Sequence, residues 1–489
     1  MGICCHSKAI TEPQSPAVAF TKNERSASES SDTRWAIALY SLEAKDEAIL
    51  RFSKGDKLII EDDSDPDWFL VRHKKTHKRG FAPKTYLILD TIAGEEEWFF
   101  GEVVRADAER LLLQPENASG TFMVRNSRIP GAYALSIKDI TADTNEIVVR
   151  HYKIKTLDRG GYFISKESTF DTLQQLIAHY KVSANGLCRK LEKACLRPRP
   201  VITGPLPDNR DEYEIPFNSL TFIRQLGKGN FGEVFFGHWN GTLEVAIKRL
   251  INNGVQSNDF KNDFKREISV MKAISHPNIV RLFAVCTEKE PYCIVMEYLC
   301  NGNLQQYLKT HQGKQLRLPS LVNMAAQISN GMKYLETEKL IHRDLAARNI
   351  LVGEASIVKL ADFGLARIMD EEVYVTSGGK LPVKWTAPEA YVSGEFTIKA
   401  DVWSFGIVLF EIFTHGESPY RDMKNFQVVE ALKKNYRMPK PSDPECSDAV
   451  YEIMLQCWKK EPDERPTFEF LYHYFTDYYV TSEKSYREA

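Results

Sequence analysis

The chain has 489 residues, 43% of them hydrophobic, and a formal net charge of -2. That length carries two or three cores, and the near-neutral balance excludes a global field aimed at nucleic acid or an acidic partner. Nine cysteines without a CxxC pair fit a reducing compartment, with no disulfide framework and no zinc site. No apolar run approaches the ~20 residues of a membrane span; the longest, FGIVLFEIF, is interrupted by Glu411 and predicts a core helix.

Residues 1–33 carry few apolar side chains, and KNERSASESSDTR has too little to bury to fold, so this segment is predicted to be disordered. It opens MGICCHSK. Gly2 is placed for N-myristoylation, and Cys4 and Cys5 could take palmitate as the second anchor that stable membrane binding needs. The usual pattern has Ser or Thr at position six, where this chain has His6. The expectation is a peripheral protein on the inner face of the plasma membrane.

From residue 34 to 92, short alternating strands (WAIALYSL, DKLIIED, DWFLVRH, RGFAPKTYLI) separated by turn clusters predict a small all-β barrel. ALYSL, DWFL and FAPKTYL resemble an SH3 domain. That resemblance implies that Tyr40, Trp68, Pro83 and Tyr86 line an aromatic groove for a proline-rich, polyproline II ligand. Leu42 stands where the family often has a second tyrosine, and Ile49 where an acidic residue usually pairs with a ligand arginine.

Residues 98–195 read as a helix (ADAERLLL), several strands and a second helix (TFDTLQQLIAHY). In GTFMVRNS, Arg125 falls on an apolar strand, where a guanidinium needs a dianion matching its fork. From WFFGEVVRADAERLLL to GLCRKLEKAC the segment resembles an SH2 domain, an α+β sandwich. The resemblance implies phosphotyrosine recognition by Arg125 with Arg105, Ser127, His151 and Lys153, and a second pocket walled by Tyr152, Ile164 and Leu187. Residues 196–219 hold Pro198, Pro200, Pro205 and Pro207 and read as a semi-rigid linker. This linker is also a candidate internal ligand of the groove, although those prolines contain no PxxP.

Residues 220–475 carry the chemistry. LGKGNFGEV places Gly227, Gly229 and Gly232 on a strand–turn–strand, where glycines let backbone N–H groups approach phosphates. By itself that pattern also suits a dinucleotide fold. VAIKRL then offers Lys248 on a strand, and FKREISVMKAI offers Glu267 on an amphipathic helix. HRDLAARN (342–349) follows, then DFG thirteen residues after Asn349, then APE (387–389) and DVWSFG at Asp401. In this order the set resembles a bilobal α+β protein kinase domain.

The resemblance implies Asp344 as the acceptor of the substrate hydroxyl proton, Asn349 and Asp362 as ligands of Mg²⁺ (or Mn²⁺), and Lys248, held by Glu267, on the phosphates of ATP. It lays the nucleotide against Leu226, Gly227, Lys228, Gly229, Asn230, Phe231, Gly232, Val234 and Ala246. Met296 limits the space behind the adenine, and Glu297 to Leu299 form its hinge. His342 reads as a brace. Ala346 stands where serine/threonine kinases usually place a lysine, and Arg348 comes four residues after Asp344; AAR with KWTAPEA resembles the tyrosine-specific branch.

The whole arrangement resembles a Src-family non-receptor tyrosine kinase with a divergent catalytic loop. Tyr374 after DFG is the expected autophosphorylation site, near Arg343 and Arg367. Tyr486 in the tail (476–489) is expected to be phosphorylated by an upstream kinase and bound by Arg125 as a latch. The rival readings are a catalytically weak adaptor bridging phosphotyrosine and proline-rich partners, and a Tec-, Csk- or Abl-like tyrosine kinase.

Overall fold

The computed structural model describes residues 34–44, 46–90, 96–127, 132–141, 146–157, 160–165, 168–198, 202, 204–206, 213–229, 232–250, 258–362, 367–368, 374–375, 382–476 and 478. Gly2, Cys4, Cys5, Asn230, Phe231 and Tyr486 lie outside these residues. Among the described residues no helix is long and apolar enough to cross a membrane.

The first unit is a five-stranded antiparallel sheet of β1 (Trp35–Ala38), β2 (Lys57–Asp62), β3 (Trp68–His73), β4 (Arg79–Pro83) and β5 (Leu87–Leu89), in the order β4-β3-β2-β1-β5. Period-2 alternation sends Ala36, Leu58 and Val71 into its core. Leu42 and Ile49 are buried there too, at 5% and 4% exposure. The two positions that depart from the family pattern are therefore packing positions and not part of a polar rim.

The second unit sandwiches the sheet β10-β9-β8-β7-β6 between two helices. Its elements are α1 (Arg105–Leu112), β6 (Phe122–Asn126), β7 (Tyr133–Ile140), β8 (Ile147–Thr156), β9 (Tyr162–Phe163), β10 (Thr169–Phe170) and α2 (Leu173–Val182). Thr172 caps α2 by accepting from the N–H of Gln175. After α2 the chain returns to β6, where the N–H of Phe122 donates to the Lys193 carbonyl and that of Cys195 to the Phe122 carbonyl.

The third unit has two lobes. The smaller carries β11 (Leu220–Gly229), β12 (Gly232–Trp239), β13 (Leu243–Arg249), β14 (Leu282–Cys286) and β15 (Cys293–Glu297) in the order β11-β12-β13-β15-β14, with helix α3 (Asn258–Ala273). The larger contains α4 (Leu304–Lys309), α5 (His311–Lys314), α6 (Leu318–Thr337), the short strands β16 (Leu340–Ile341), β17 (Ile350–Val352), β18 (Val358–Leu360), β19 (Arg367–Ile368) and β20 (Tyr374–Val375), then α7 (Pro388–Ser393), β21 (Glu395–Phe396), α8 (Ile398–Phe413), α9 (Asn425–Lys433), α10 (Asp448–Cys457) and α11 (Phe468–Thr476). FGIVLFEIF forms the C-terminal half of α8, apolar all round and buried almost throughout.

The units touch. Along the linker, the Pro198 carbonyl accepts from the Tyr40 hydroxyl at 3.3 Å and the Gly204 carbonyl from Trp68 Nε1 at 3.1 Å. Ile202 packs against the cores of both the first unit and the smaller lobe, and Leu206 against the first unit. Arg110 of α1 donates to the Ala355 carbonyl of the larger lobe at 2.9 Å.

Candidate active site

Residues 342–349 lie between β16 and β17, and their backbone is held from beneath by two carboxylates of α8. Asp401, 1% exposed, accepts from the N–H of His342 at 2.7 Å and of Arg343 at 2.9 Å. Glu411, fully buried, accepts from the N–H of Ala347 at 2.8 Å and from Trp385 Nε1 at 3.1 Å. Burial pushes Asp401 up to about 6 and Glu411 up to about 7. Such carboxylates belong to the scaffold, since their oxygens are taken up by the loop they shape. His342 is a brace as expected: Nε2–H reaches the Ala361 carbonyl at 3.1 Å.

Above this support Asp344 faces the opening. Asn349 Nδ2 donates to its Oδ2 at 2.7 Å and to its backbone carbonyl at 2.8 Å, and Arg348 pairs with its Oδ1. Arg348 also lies over the Trp385 ring at 4.4 Å. Burial raises the pKa of Asp344, opposed by Arg348, His342 and Asn349. A carboxylate made more basic than usual suits a proton acceptor.

Across the cleft, Lys248 Nζ meets Glu267 Oε1 at 2.6 Å and Asp362 Oδ1 at 3.7 Å. Burial opposes the charge on Lys248, but Glu267 and then Asp362 hold its pKa above the ordinary value, so it stays protonated. Strands β11 and β12 show two uses of glycine. At Gly227 an added Cβ would meet open space. At Gly232 it would fall 2.3 Å from the Arg249 carbonyl oxygen, so this glycine serves the fit of β12 on β13. Leu226 is exposed on β11, Lys228 Nζ pairs with Glu233 at 3.5 Å, Val234 lies in register with Lys248, and Ala246 with Met296. Leu299 is buried. The Glu297 carboxylate turns to Lys359 at 2.6 Å, leaving its backbone as the part that can serve a hinge.

The residues suit a divalent cation. Because Asn349 uses its amide N–H group on Asp344, its Oδ1 remains an acceptor, and the Asp362 carboxylate is half exposed beside Lys248. Two hard oxygen ligands match an ion that keeps waters and takes phosphate oxygens for the rest. No larger cluster of metal-ligating side chains occurs among the described residues.

After Asp362, β19 pairs with β16, and β20 pairs with β21 so that Tyr374 lies in register with Phe396. The Arg343 guanidinium sits 4.7 Å over the Phe396 ring, which brings it to the strand partner of Tyr374. At the far end Glu389 receives both Nη atoms of Arg465, at 2.5 and 2.9 Å, with the Arg465 side chain fully buried.

In the second unit Arg125, 8% exposed, points its Nη1 toward the Asn126 carbonyl at 3.3 Å. Arg105 and His151 both turn to Glu109, at 2.8 and 2.9 Å, while His151 Nδ1 lies 2.9 Å from the Ser136 hydroxyl. Burial keeps His151 below its ordinary pKa despite Glu109, with Arg105 and Arg125 adding to the depression. Ser127 is half-buried at the end of β6 and Lys153 exposed on β8. Tyr152, whose hydroxyl accepts from the Cys188 N–H at 2.7 Å, packs with Ile164 and Leu187 in one cluster. In the first unit Tyr40 and Tyr86 meet edge to face at 6.0 Å, with Trp68 and Pro83 buried on neighbouring strands. Glu109, Glu411 and Arg465 were missed from sequence: each reads there as an ordinary helix or surface charge.

Comparison with known proteins gives the same three units. Residues 220–475 match the family described as protein tyrosine and serine/threonine kinase, 98–180 the SH2 domain and 37–84 the SH3 domain. The chain is 45% identical over 458 residues to the tyrosine-protein kinase Src64B of Drosophila melanogaster, covering 93% of this chain and 82% of that one. It is 46% identical over 459 residues to the tyrosine protein-kinase src-1 of Caenorhabditis elegans, covering 92% and 85%. With the lysine–glutamate pair, the braced aspartate and both binding modules on one polypeptide, the chain belongs to the Src family of protein tyrosine kinases.

Proposed function

We propose that Asp344 is the residue through which this kinase acts on a tyrosine hydroxyl, and that the remaining candidate residues divide the work around it. Asp344 accepts the phenolic proton. Arg348 and Asn349 hold its carboxylate in place, and Lys248, kept charged by Glu267, binds the phosphates of ATP. Asn349 and Asp362 hold a divalent cation, Mg²⁺ or Mn²⁺, which when bound neutralises phosphate charge. The observation that carries this reading is the three-residue knot of Asp344, Arg348 and Asn349 facing the Lys248–Glu267 pair.

The regulation we infer has three parts. Phosphate on Tyr374 engages Arg343 and Arg367 and orders the segment after Asp362. The tail, phosphorylated on Tyr486 by an upstream kinase, binds Arg125 in the same molecule, where a millimolar effective concentration makes a weak motif sufficient. Phosphotyrosine and proline-rich partners compete for the two modules and release the kinase. Acylation at Gly2, Cys4 and Cys5 brings the chain to the inner membrane surface.

Asp344→Asn tests the core of the reading. It should lower kcat on a tyrosine polymer about a thousandfold while leaving the melting temperature and phosphotyrosyl-peptide affinity near wild type. Retained turnover would overturn the assignment.

A further inference from the structure

One hairpin of the SH3 unit carries a run of charge that catalysis and the two binding modules leave unused. Between β3 and β4 the chain reads HKKTHKR, residues 73–79, and every residue from Lys74 to Arg79 is exposed. The tip is held from within. His73, 5% exposed, accepts on Nδ1 from the N–H groups of Lys75 and Thr76 at 3.0 and 3.3 Å, while its Nε2 lies 3.2 Å from Asp56. His77 takes the left-handed turn conformation, φ 56°, and its N–H donates to the His73 carbonyl at 2.9 Å. The N–H of Lys74 donates to the Lys57 carbonyl at 3.1 Å.

The acids that answer this charge sit at its base. Asp56 faces Lys75 at 3.7 Å, with the lysine side chain still 80% exposed, and Glu61 takes Arg72 and Arg79 at 2.8 and 2.5 Å. Set against Arg72, Lys74, Lys75, Lys78 and Arg79, these two carboxylates leave the hairpin cationic. Lys74 Nζ lies 4.9 Å over the ring of Trp35, the first residue of β1, so the charge borders the place where residues 1–33 join the fold. The groove is at the other end of the same two strands. Trp68 opens β3 and Pro83 closes β4, in register with one another, about 17 Å from the tip at ~3.3 Å per residue. The kinase domain meets this unit at that far end too, where Asp67 Oδ2 accepts from Arg281 Nη1 at 2.6 Å.

We propose that this hairpin is a membrane-facing site whose ligand is the phosphatidylserine-bearing surface of a bilayer. The proposal rests on the reading of Gly2 as an acyl anchor and adds a signal that, unlike palmitate, needs no further modification. A single acyl chain binds a bilayer only marginally. Residues 1–33 bring no basic run of their own, since Lys8, Lys22 and Arg25 stand against Glu12, Glu24, Glu29 and Asp32. The chemistry of the tip selects the partner. Residues 74–79 include no apolar side chain to insert into a protein groove. Lys74, Lys75 and Lys78 are point charges on flexible stems, which suit a diffuse negative field better than one phosphate gripped by a guanidinium fork. The braced turn presents them together at little ordering cost. With tip and groove at opposite ends, the hairpin rests on the bilayer while the groove and the kinase domain face away from it.

The test uses the full chain, as wild type and as Gly2→Ala, with vesicles of phosphatidylcholine alone or with about one part in three of phosphatidylserine. Lys74→Gln, Lys75→Gln and Lys78→Gln together should lower partition of the wild-type chain onto phosphatidylserine vesicles about a hundredfold, and leave partition onto phosphatidylcholine unchanged. The same change should abolish the weaker binding of the Gly2→Ala chain, and raising the salt should mimic it. Lys→Arg at the three positions should bind as wild type does, and both triple variants should keep the wild-type melting temperature and affinity for a proline-rich peptide. Equal partition of the Lys→Gln variant and wild type overturns the proposal. So does binding to a soluble polyanion such as heparin with no preference for phosphatidylserine vesicles over phosphatidylcholine. If Gly2→Ala and wild type partition alike while the Lys→Gln variant loses phosphatidylserine, the acyl reading falls and the hairpin site stands.

Discussion

The catalytic loop and the phosphotyrosine pocket both gather charge under cover, and they stabilise it in opposite ways. Under the loop, Asp401 and Glu411 take up backbone N–H groups, so the shape of the loop is set by hydrogen bonds that need no cation. In the pocket, Glu109 takes up Arg105 and His151, the side chains expected to meet a phosphate. The first arrangement fixes geometry. The second holds the Arg105 cation in readiness but sets a negative charge beside the place where a dianion must enter, so the pocket's affinity is a balance of charges.

The comparison breaks most visibly at Arg125. Replacing it with Leu should weaken phosphotyrosyl-peptide binding about a hundredfold by calorimetry, with KM for ATP unchanged. An intact affinity would move the phosphate site elsewhere.

Glu411→Gln tests the scaffold side. Burial raises the pKa of Glu411 from 4.5 to about 7 in the folded chain. The folded state then holds a proton that the unfolded chain releases, so this contribution to stability is full below pH 4.5 and lost as pH rises through 7. Since Gln does not titrate, wild-type stability measured against the variant in urea should fall by about 3 kcal/mol across that window. A difference that stays flat with pH would contradict the buried, proton-holding role.

Glu109→Gln gives the smallest effect and the sharpest one. It keeps an acceptor for Arg105 and removes the negative charge, so phosphotyrosyl-peptide affinity should rise about threefold, more at low salt. A drop in affinity would show that Glu109 serves chiefly to position Arg105 and His151.

How much of this was legible follows from how local each arrangement is. HRDLAARN could be read because Asp344, Arg348 and Asn349 meet within one turn of chain, and Lys248 and Glu267 because strand and helix periodicities place them on facing surfaces. Glu411 was visible only as an interruption in an apolar run, since nothing local tells that it accepts from the backbone N–H of Ala347. The linker lacks PxxP, and its described residues still meet the first unit, through carbonyl acceptors at Pro198 and Gly204 and apolar contacts of Ile202 and Leu206. Ile49 was read as a missing acidic contact, and the isoleucine there is buried in the core. The Asp67–Arg281 pair has no sequence signature, because its members belong to different domains.

The ion pair between Asp67 and Arg281, and the bond from Arg110 to the Ala355 carbonyl, bear on how far these modules can be traded. Three recognisable parts on one string invite the idea of shuffling, in evolution or at the bench. A chimaera given a foreign SH3 with a neutral residue at the Asp67 position would still recognise proline-rich peptides. It would have lost its ion pair with its own catalytic half, and would have to co-vary position 281 to regain it.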